Sequence, residues 1–384
     1  MRVAIDGLHL FGTYGGVQRA LVELLAALHR VFPQDETVLY VPRDFRRESL
    51  GFDSDRLSLH RTWFPGRWRA VRALWRNFRL QAWAYRDRCE LLHGATYALP
   101  SLLSLPSVLT LHDVIALSHP QFCTPGSAKV QGKIIQRSAA AARRILVPTA
   151  AARDEVLRFL KVDAGRVEVV PWGVGRQFRV EEDLGRLREA RKQWRLPEQF
   201  VLYVGTLEPK KNLEGLLRGF VAAKLNRRLP HSLVFAGRMG WRMQNLAKDI
   251  REHDARDYVF LTGYVPDQAL HLLYNLADLC VLNSHVEGFG LPVLEAMACG
   301  CPVVISSVPA LREVAGDAAY RLEDNPQKPY QPLREAFESL LDDAGGEKLR
   351  RELRKKGLAR TPLFTWEKTA QLTRAAYQRA LEEK

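Results

Sequence analysis

The sequence has only five cysteines in 384 residues, an odd number, and none is spaced as C-x-x-C. That excludes a disulfide framework and points to reduced thiols, so the cytoplasm is the expected location. Long apolar runs are lacking as well. The longest stretch free of Asp, Glu, Lys and Arg, Leu91 to His112, is broken by His93, Gly94, Pro100, Ser101, Ser104, Pro106 and Ser107, which argues against a membrane-spanning helix. The opening Met1-Arg2-Val3-Ala4-Ile5-Asp6-Gly7 has an acid where an export signal needs its apolar core, so no export signal is expected. Acids are outnumbered: 43 Asp and Glu face 57 Lys and Arg, a formal net charge of +14. Such an excess implies an anionic partner, whether nucleic acid, an anionic membrane surface or a phosphorylated substrate. Paired Cys/His fingers, aromatic RNA-binding strand signatures and basic zippers are missing, which argues against nucleic acid. The patterns G-x-x-x-x-G-K-[ST] and G-x-G-x-x-G are missing too, so neither an ATPase nor a dinucleotide dehydrogenase gains support.

What is present is ample core material, with 47% hydrophobic and 26% charged residues, in a chain long enough for two domains. Short apolar runs alternate with helical patterns. Arg2 to Ile5, Val108 to Leu111, Ile145 to Val147 and Val167 to Val170 read as strands, with helices over Val17 to Leu28 and Ala150 to Leu160. The rhythm restarts at Phe200 to Val204 and continues through Ser232 to Ala236, Val259 to Leu261, Leu279 to Leu282 and Pro302 to Ser306. The helices expected between them include Asn212 to Ala223, one near Met243 to Glu252, Gln268 to Ala277 and Leu291 to Cys299. Alternation of this kind predicts α/β domains with parallel sheets: two Rossmann-like domains facing a cleft. The expected boundaries are 1–176 and 199–364, joined by a polar linker over 177–198, with a final helix near 365–384 packing back on the first domain. Ligands bind beyond the carboxyl ends of such strands, so the loops after strands are where chemistry belongs.

Four loops stand out. Glu287-Gly288-Phe289-Gly290-Leu291-Pro292-Val293-Leu294-Glu295 follows the Leu279 strand, and Pro292 suits a first helical turn, so a helix should begin near Leu291. Bare backbone at Gly288 and Gly290, running into a helix N-terminus, offers free N–H groups to phosphate or sugar hydroxyls. Glu287 and Glu295 are suited to accept hydrogen bonds from vicinal hydroxyls. Loop chemistry alone equally allows a helix-capping Glu295 and a solvated Glu287. Gly205-Thr206-Leu207-Glu208-Pro209-Lys210-Lys211-Asn212-Leu213 brings two cations to a helix start, where they serve a phosphate or are mere surface charge. Gly12-Thr13-Tyr14-Gly15-Gly16-Val17-Gln18 follows the first strand, and by itself its glycine pair means only a turn. Thr110-Leu111-His112-Asp113 closes the Val108 strand with a histidine that is either structural or functional.

Taken together these segments resemble a known family. Val259 to Val265, Leu273-Tyr274, Ala277-Asp278, Glu287 to Pro292, Glu295 to Ala298 and Gly300-Cys301-Pro302-Val303-Val304 are similar to the donor-binding half of the family 4 retaining glycosyltransferases, and weaker similarity runs through most of the chain. Glu287 and Glu295 match that family's E-x7-E motif. The resemblance implies that Glu287 holds hydroxyls of the donor sugar and Glu295 the ribose, while Gly288, Phe289, Gly290 and Leu291 line sugar and diphosphate. It likewise implies that Gly263, Tyr264 and Val265 pack on the base and that Lys211, with Gly205, Thr206 and Lys210, meets the diphosphate. Thr206 stands where many members carry arginine. Gly15 and Gly16 are implied to approach the diphosphate from the opposite domain, and His112 to sit beside the sugar, with catalysis resting on His112, Lys211 and Glu287. The first domain would then take the acceptor and the second the donor.

The implied reaction moves a hexose, with retention, from a nucleotide diphosphate to a saccharide or lipid-linked saccharide. Similarity to mannosyltransferase-like members at Gly205 to Pro209, Gly237 to Trp241 and Pro309 to Val314 favours GDP-mannose, with UDP, ADP or TDP sugars as alternatives. A non-catalytic binding subunit, or a same-fold epimerase or phosphorylase, are the rival classes. No cofactor beyond the nucleotide-sugar co-substrate is expected and no metal, because Asp53-Ser54-Asp55, which spells a metal-binding D-x-D, lies in a polar stretch beside Arg46, Arg47 and Arg56.

Between Arg61 and Arg88, arginines and aromatics crowd together with a single acid, Asp87. At helical spacing Trp68, Val71, Trp75, Phe78 and Ala82 share a face, flanked by Arg69, Arg72, Arg76 and Arg79. That pattern suits either a domain helix packing inward or docking on an anionic membrane, which would make the protein peripheral.

Overall fold

The structure, a computed structural model, describes all residues except 13–14, 102, 242–243, 343–344 and 384. Thr13, Tyr14 and Met243, which belong to expected elements, therefore lie outside the described residues. The chain divides into two units, Met1–Gly173 with Phe364–Lys384, and Val174–Leu363.

The first unit is built on a seven-stranded parallel sheet in the order β3-β2-β1-β4-β5-β6-β7. Its strands are β1 (Arg2–Asp6), β2 (Glu36–Val41), β3 (Leu57–Arg61), β4 (Leu91–Gly94), β5 (Ser107–Thr110), β6 (Arg144–Val147) and β7 (Val167–Val169). The register is regular, with Ile5 opposite both Leu39 and His93. Central strands of this kind bury both faces, and Ala4, Ile5, Leu39, Leu91, Leu92 and Leu109 are fully buried. The helix Trp366–Glu382 belongs to this unit. It packs against the helix Gly16–Val31 and the sheet, and buries Ala370, Ala376, Tyr377 and Ala380. Polar ties reinforce it: Tyr377 Oη lies 2.8 Å from His93 Nδ1, and Arg374 pairs at 2.6 Å with Asp35, which also binds the N-terminal amine.

The second unit repeats the plan with six parallel strands in the order β10-β9-β8-β11-β12-β13. They are β8 (Phe200–Val204), β9 (Ser232–Ala236), β10 (Val259–Gly263), β11 (Leu279–Leu282), β12 (Val303–Ile305) and β13 (Ala319–Arg321). Both sheets reverse strand order once near their centre, between β1 and β4 and between β8 and β11. Such reversals part the following loops and open a binding crevice. Residues 177–198, expected as a linker, are part of this unit rather than a separate connection. Their helix Leu184–Gln193 packs on the helix Asp267–Leu276, and Glu181 N donates to Asn275 Oδ1 at 2.8 Å.

The basic aromatic segment departs from a single amphipathic helix. The helices Arg69–Trp75 and Gln81–Arg86 are joined by a π-helical turn, Arg76–Leu80. A π turn adds a residue to one helical repeat and rotates the stripe that follows. The buried positions accordingly run Trp75, Leu80, Ala84, whereas Leu74 and Phe78 face outward at 58% and 68% exposure. Trp75 and Phe78 thus lie on opposite sides, and two of the four flanking arginines point inward. Arg76 pairs with buried Asp6, and Arg72 donates to Gly66 O at 3.1 Å and stands 5.0 Å over the Phe11 ring.

Candidate functional site

In the second unit the loops after β8 and β11 meet at the reversal of the sheet. Gly205 ends β8 at φ +148°, and Gly237 ends β9 at φ +156°, where a Cβ would fall 1.9 Å from Gly205 O. Only glycine permits that approach, which lets the two loops leave the sheet side by side. Leu207 N then donates to Arg238 O at 3.0 Å and Gly240 N to Leu207 O at 2.8 Å. Lys210 and Lys211 follow on a tight turn, Pro209–Lys211, closed by Asn212 in the left-handed region at φ +51°. A backbone bond of 2.8 Å from His285 N to Lys210 O ties this loop to the one after β11.

Across that tie the two expected charges meet, since Lys211 Nζ donates to Glu287 Oε1. Ser284 Oγ donates to the same oxygen at 2.7 Å. Burial pushes the Glu287 carboxyl up, but Lys211, then Lys210 and the Ser284 hydroxyl more than offset this, and its pKa falls below the ordinary value. Glu287 is therefore a partly buried carboxylate that stays ionised, an acceptor of hydrogen bonds rather than a proton donor. Lys210 instead pairs with Glu208 at 3.3 Å.

The helix Leu291–Ala298 starts at Leu291 behind Gly290 at φ +101°, where a side chain would meet Leu311 Cδ2 at 2.4 Å. Phe289 is buried. Glu295, one turn into this helix and also buried, accepts from Tyr274 Oη at 2.8 Å. Gly263, at φ +71°, accepts from Gly237 N at 2.8 Å, so the segment Gly263 to Val265 adjoins the β8 and β9 loop ends. Within it Tyr264 is exposed and Val265 buried.

The first unit carries the remaining expected residues after β1 and β5. Gly15 caps the helix Gly16–Val31, its N–H donating to Gln18 Oε1 at 2.9 Å. His112 is buried with Nε2 3.0 Å from Ala95 O. A carbonyl only accepts, so Nε2 carries the hydrogen and Nδ1 is a bare acceptor without a partner among the described residues. Burial lowers the His112 pKa to about 4, against the opposing pull of Asp113 and the Ala95 carbonyl, so at neutral pH the ring is uncharged. Tyr97 and Trp172 hold it by ring contacts of 5.3 Å and 5.2 Å.

The sequence reading missed Ser284 and Tyr274 as partners of the two glutamates, and in the first unit Asp6, His9 and Arg76. Asp6 Oδ1 accepts from Leu8 N at 3.0 Å while Oδ2 pairs with Arg76, which fixes the start of the loop leading to Gly15. His9 is held neutral, its pKa lowered to about 3 by burial, against Asp6 and reinforced by His112. The detectable signal was an acid ending an otherwise apolar strand, Arg2-Val3-Ala4-Ile5-Asp6. The D-x-D triplet makes no such arrangement, since Asp53 pairs with Arg47 in an exposed stretch.

This geometry can be set beside known proteins. The family model for glycosyl transferases group 1 matches residues 187–360, and that for glycosyltransferase family 4 matches residues 14–178. The O-antigen chain mannosyltransferase B of Escherichia coli is 32% identical over 304 residues, 78% of this chain and 77% of the relative. The serotype-specific mannosyltransferase WbdA of the same organism is 32% identical over 240 residues, 60% of this chain but only 28% of that longer protein. Among solved structures, sucrose-phosphate synthase from Thermosynechococcus elongatus shares the fold, with TM-score 0.77, 20% identity and complete coverage of both chains. With two matching family models and a curated relative followed over most of its length, the chain belongs to the family 4 glycosyltransferases of the two-domain GT-B type.

Proposed function

We propose that this glycosyltransferase moves mannose from GDP-mannose, with retention of configuration and without a metal, to a saccharide or lipid-linked saccharide acceptor in polysaccharide assembly. The observation that carries the reading is the convergence of Lys211, Glu287 and Ser284 at the β8/β11 crevice, with Glu295 buried one helical turn away. A nucleotide diphosphate leaves without protonation, so its developing charge has to be met by cations and N–H groups, which Lys211 and the Gly288–Leu291 backbone supply. In the step, the bond from the anomeric carbon to the diphosphate oxygen breaks and that oxygen keeps the electron pair. The acceptor oxygen bonds to the same face, and its proton passes to a phosphate oxygen of the donor. Glu287 accepts from hydroxyls of the sugar and Glu295 from those of the ribose. His112, neutral with a bare Nδ1, accepts from a sugar hydroxyl and does not shuttle protons. The mannosyltransferase names of the relatives support mannose, and the other nucleotides remain open to the test.

A melting-temperature panel of GDP, UDP, ADP and TDP, each alone and as its sugar conjugate, tests the donor, because a ligand that binds only the folded state raises that temperature. GDP-mannose should give the largest rise. A larger rise with another nucleotide would overturn the guanine assignment.

The acceptor reading extends to an anionic membrane surface. No helix among the described residues is long and apolar enough to cross a membrane. Trp63, Trp68, Leu74 and Phe78 nevertheless stand exposed beside exposed Arg67, Arg69 and Arg79, the combination that seats on anionic headgroups. Trp63→Ser with Phe78→Ser should lower sedimentation with phosphatidylglycerol vesicles and leave the weaker binding to phosphatidylcholine unchanged. Undiminished binding would remove the membrane from the proposal.

A further inference from the structure

Glu295 has 2% of its surface exposed, and Tyr274, on the neighbouring helix Asp267–Leu276, has none. The 2.8 Å bond from Tyr274 Oη to Glu295 Oε2 joins them inside the unit. The tyrosine is itself held: Phe178 meets its ring edge to face, with centroids 6.0 Å apart and planes at 68°. A glutamate carboxyl turns about a broad terminal torsion, and a fixed donor restrains that freedom. The donor is uncharged, which matters here. Lys211 cancels the charge of Glu287 as it binds it, whereas a phenol leaves the charge of Glu295 intact for other donors. Burial, and after it the neighbouring Glu295, pushes the Cys280 and Cys299 thiols well above the ordinary range.

We propose that Tyr274 is a positioning residue that sets the Glu295 carboxylate to receive the two ribose hydroxyls of the nucleotide, and so makes the site discriminate ribonucleotides from 2′-deoxyribonucleotides. This rests on the ribose reading of Glu295 given above. A vicinal diol needs an acceptor whose plane is fixed, because two hydroxyls converge on one carboxylate only within a narrow angle. Removing the phenolic oxygen loosens the hold on the carboxylate and leaves the ring packed on Phe178. Discrimination is lost before the site is.

The test is calorimetric titration of the full chain with GDP and UDP and their 2′-deoxy counterparts, for the wild type, Tyr274→Phe, Glu295→Ala and the double variant. Tyr274→Phe should weaken the ribonucleotide that binds best by roughly tenfold, the size of a hydrogen bond to a charged group. It should weaken the deoxy counterpart less and add nothing on the Glu295→Ala background, as expected for two residues acting as one unit. The melting temperature without ligand reads folding separately. Wild-type preference for ribose in Tyr274→Phe, or an equal further loss in the double variant, would overturn the positioning role. Wild-type preference in Glu295→Ala would instead overturn the ribose reading itself.

Discussion

Lys211 and Glu287 in the second unit confront each other as opposite charges, whereas His9, His93 and His112 in the first are held neutral by burial. The two units share one sheet plan and place their site residues at equivalent strand ends, yet they solve different electrostatic problems. A crevice for a diphosphate must keep a cation ready, and a paired carboxylate lets that cation be buried without an uncompensated charge. The first unit pairs a deeply buried acid, Asp6, with Arg76 and presents uncharged rings, which suits recognition of hydroxyls.

The comparison breaks most sharply at Glu295 and Lys211. Lys211→Ala should abolish the melting-temperature rise given by GDP-mannose and Glu295→Ala should sharply reduce it, and full retention in both would remove the donor site from the second unit. Next in size is the charge pair of the first unit. Arg76→Ala leaves Asp6, 1% exposed, without its cation, and should cost about 3–5 kcal/mol in denaturant unfolding. A loss within 1 kcal/mol would mean that the loop after β1 does not depend on the pair.

The smallest effect concerns pH. His93 and His9 have pKa values lowered to about 3, and that of His112 is lowered to about 4, by burial first in each case. Between about pH 6.5 and 4 the unfolded chain binds protons that these rings refuse, so stability should rise with pH across that window and be lost as pH falls through it. Glu287 adds a loss at lower pH, because its depressed pKa contributes stability present above the ordinary glutamate value. His93→Gln should flatten the slope of melting temperature between pH 4 and 6.5. An unchanged slope would show that His93 is not one of the groups responsible.

How much of this was legible follows from how local each signal is. β8, β9 and β11 are short apolar runs bounded by glycine, aspartate or asparagine, and their residues alone mark them. The three-residue β13 carries too little sequence to stand out, and β2 and β3 went unnoticed among the charged residues around them. The helix start at Leu291 was readable because Pro292 and Gly290 act within a few residues. The π turn Arg76–Leu80 was not, because an even 3.6-residue stripe had to be assumed and a single inserted residue turns Phe78 away from Trp75. Arg72 and Arg76 looked like surface cations for the same reason, although Asp6 and Leu8 receive them from 64 to 70 residues away in sequence.

The sequence by itself determined that there would be two parallel α/β units, that Glu287 and Glu295 would flank a glycine-rich helix start, and that Lys211 would lie on the preceding strand-to-helix loop. Periodicity, glycine and proline act over a few residues, so such information is written along the chain. Only the tertiary structure decided which groups hold those residues: Ser284 and Lys211 on Glu287, Tyr274 on Glu295, and a carbonyl on His112 that leaves Nδ1 as its acceptor. A hydrogen bond fixes two atoms within about 3 Å, and apart from Ser284 and Glu287 these pairs are brought together by strand order in the sheet, not by spacing in the chain.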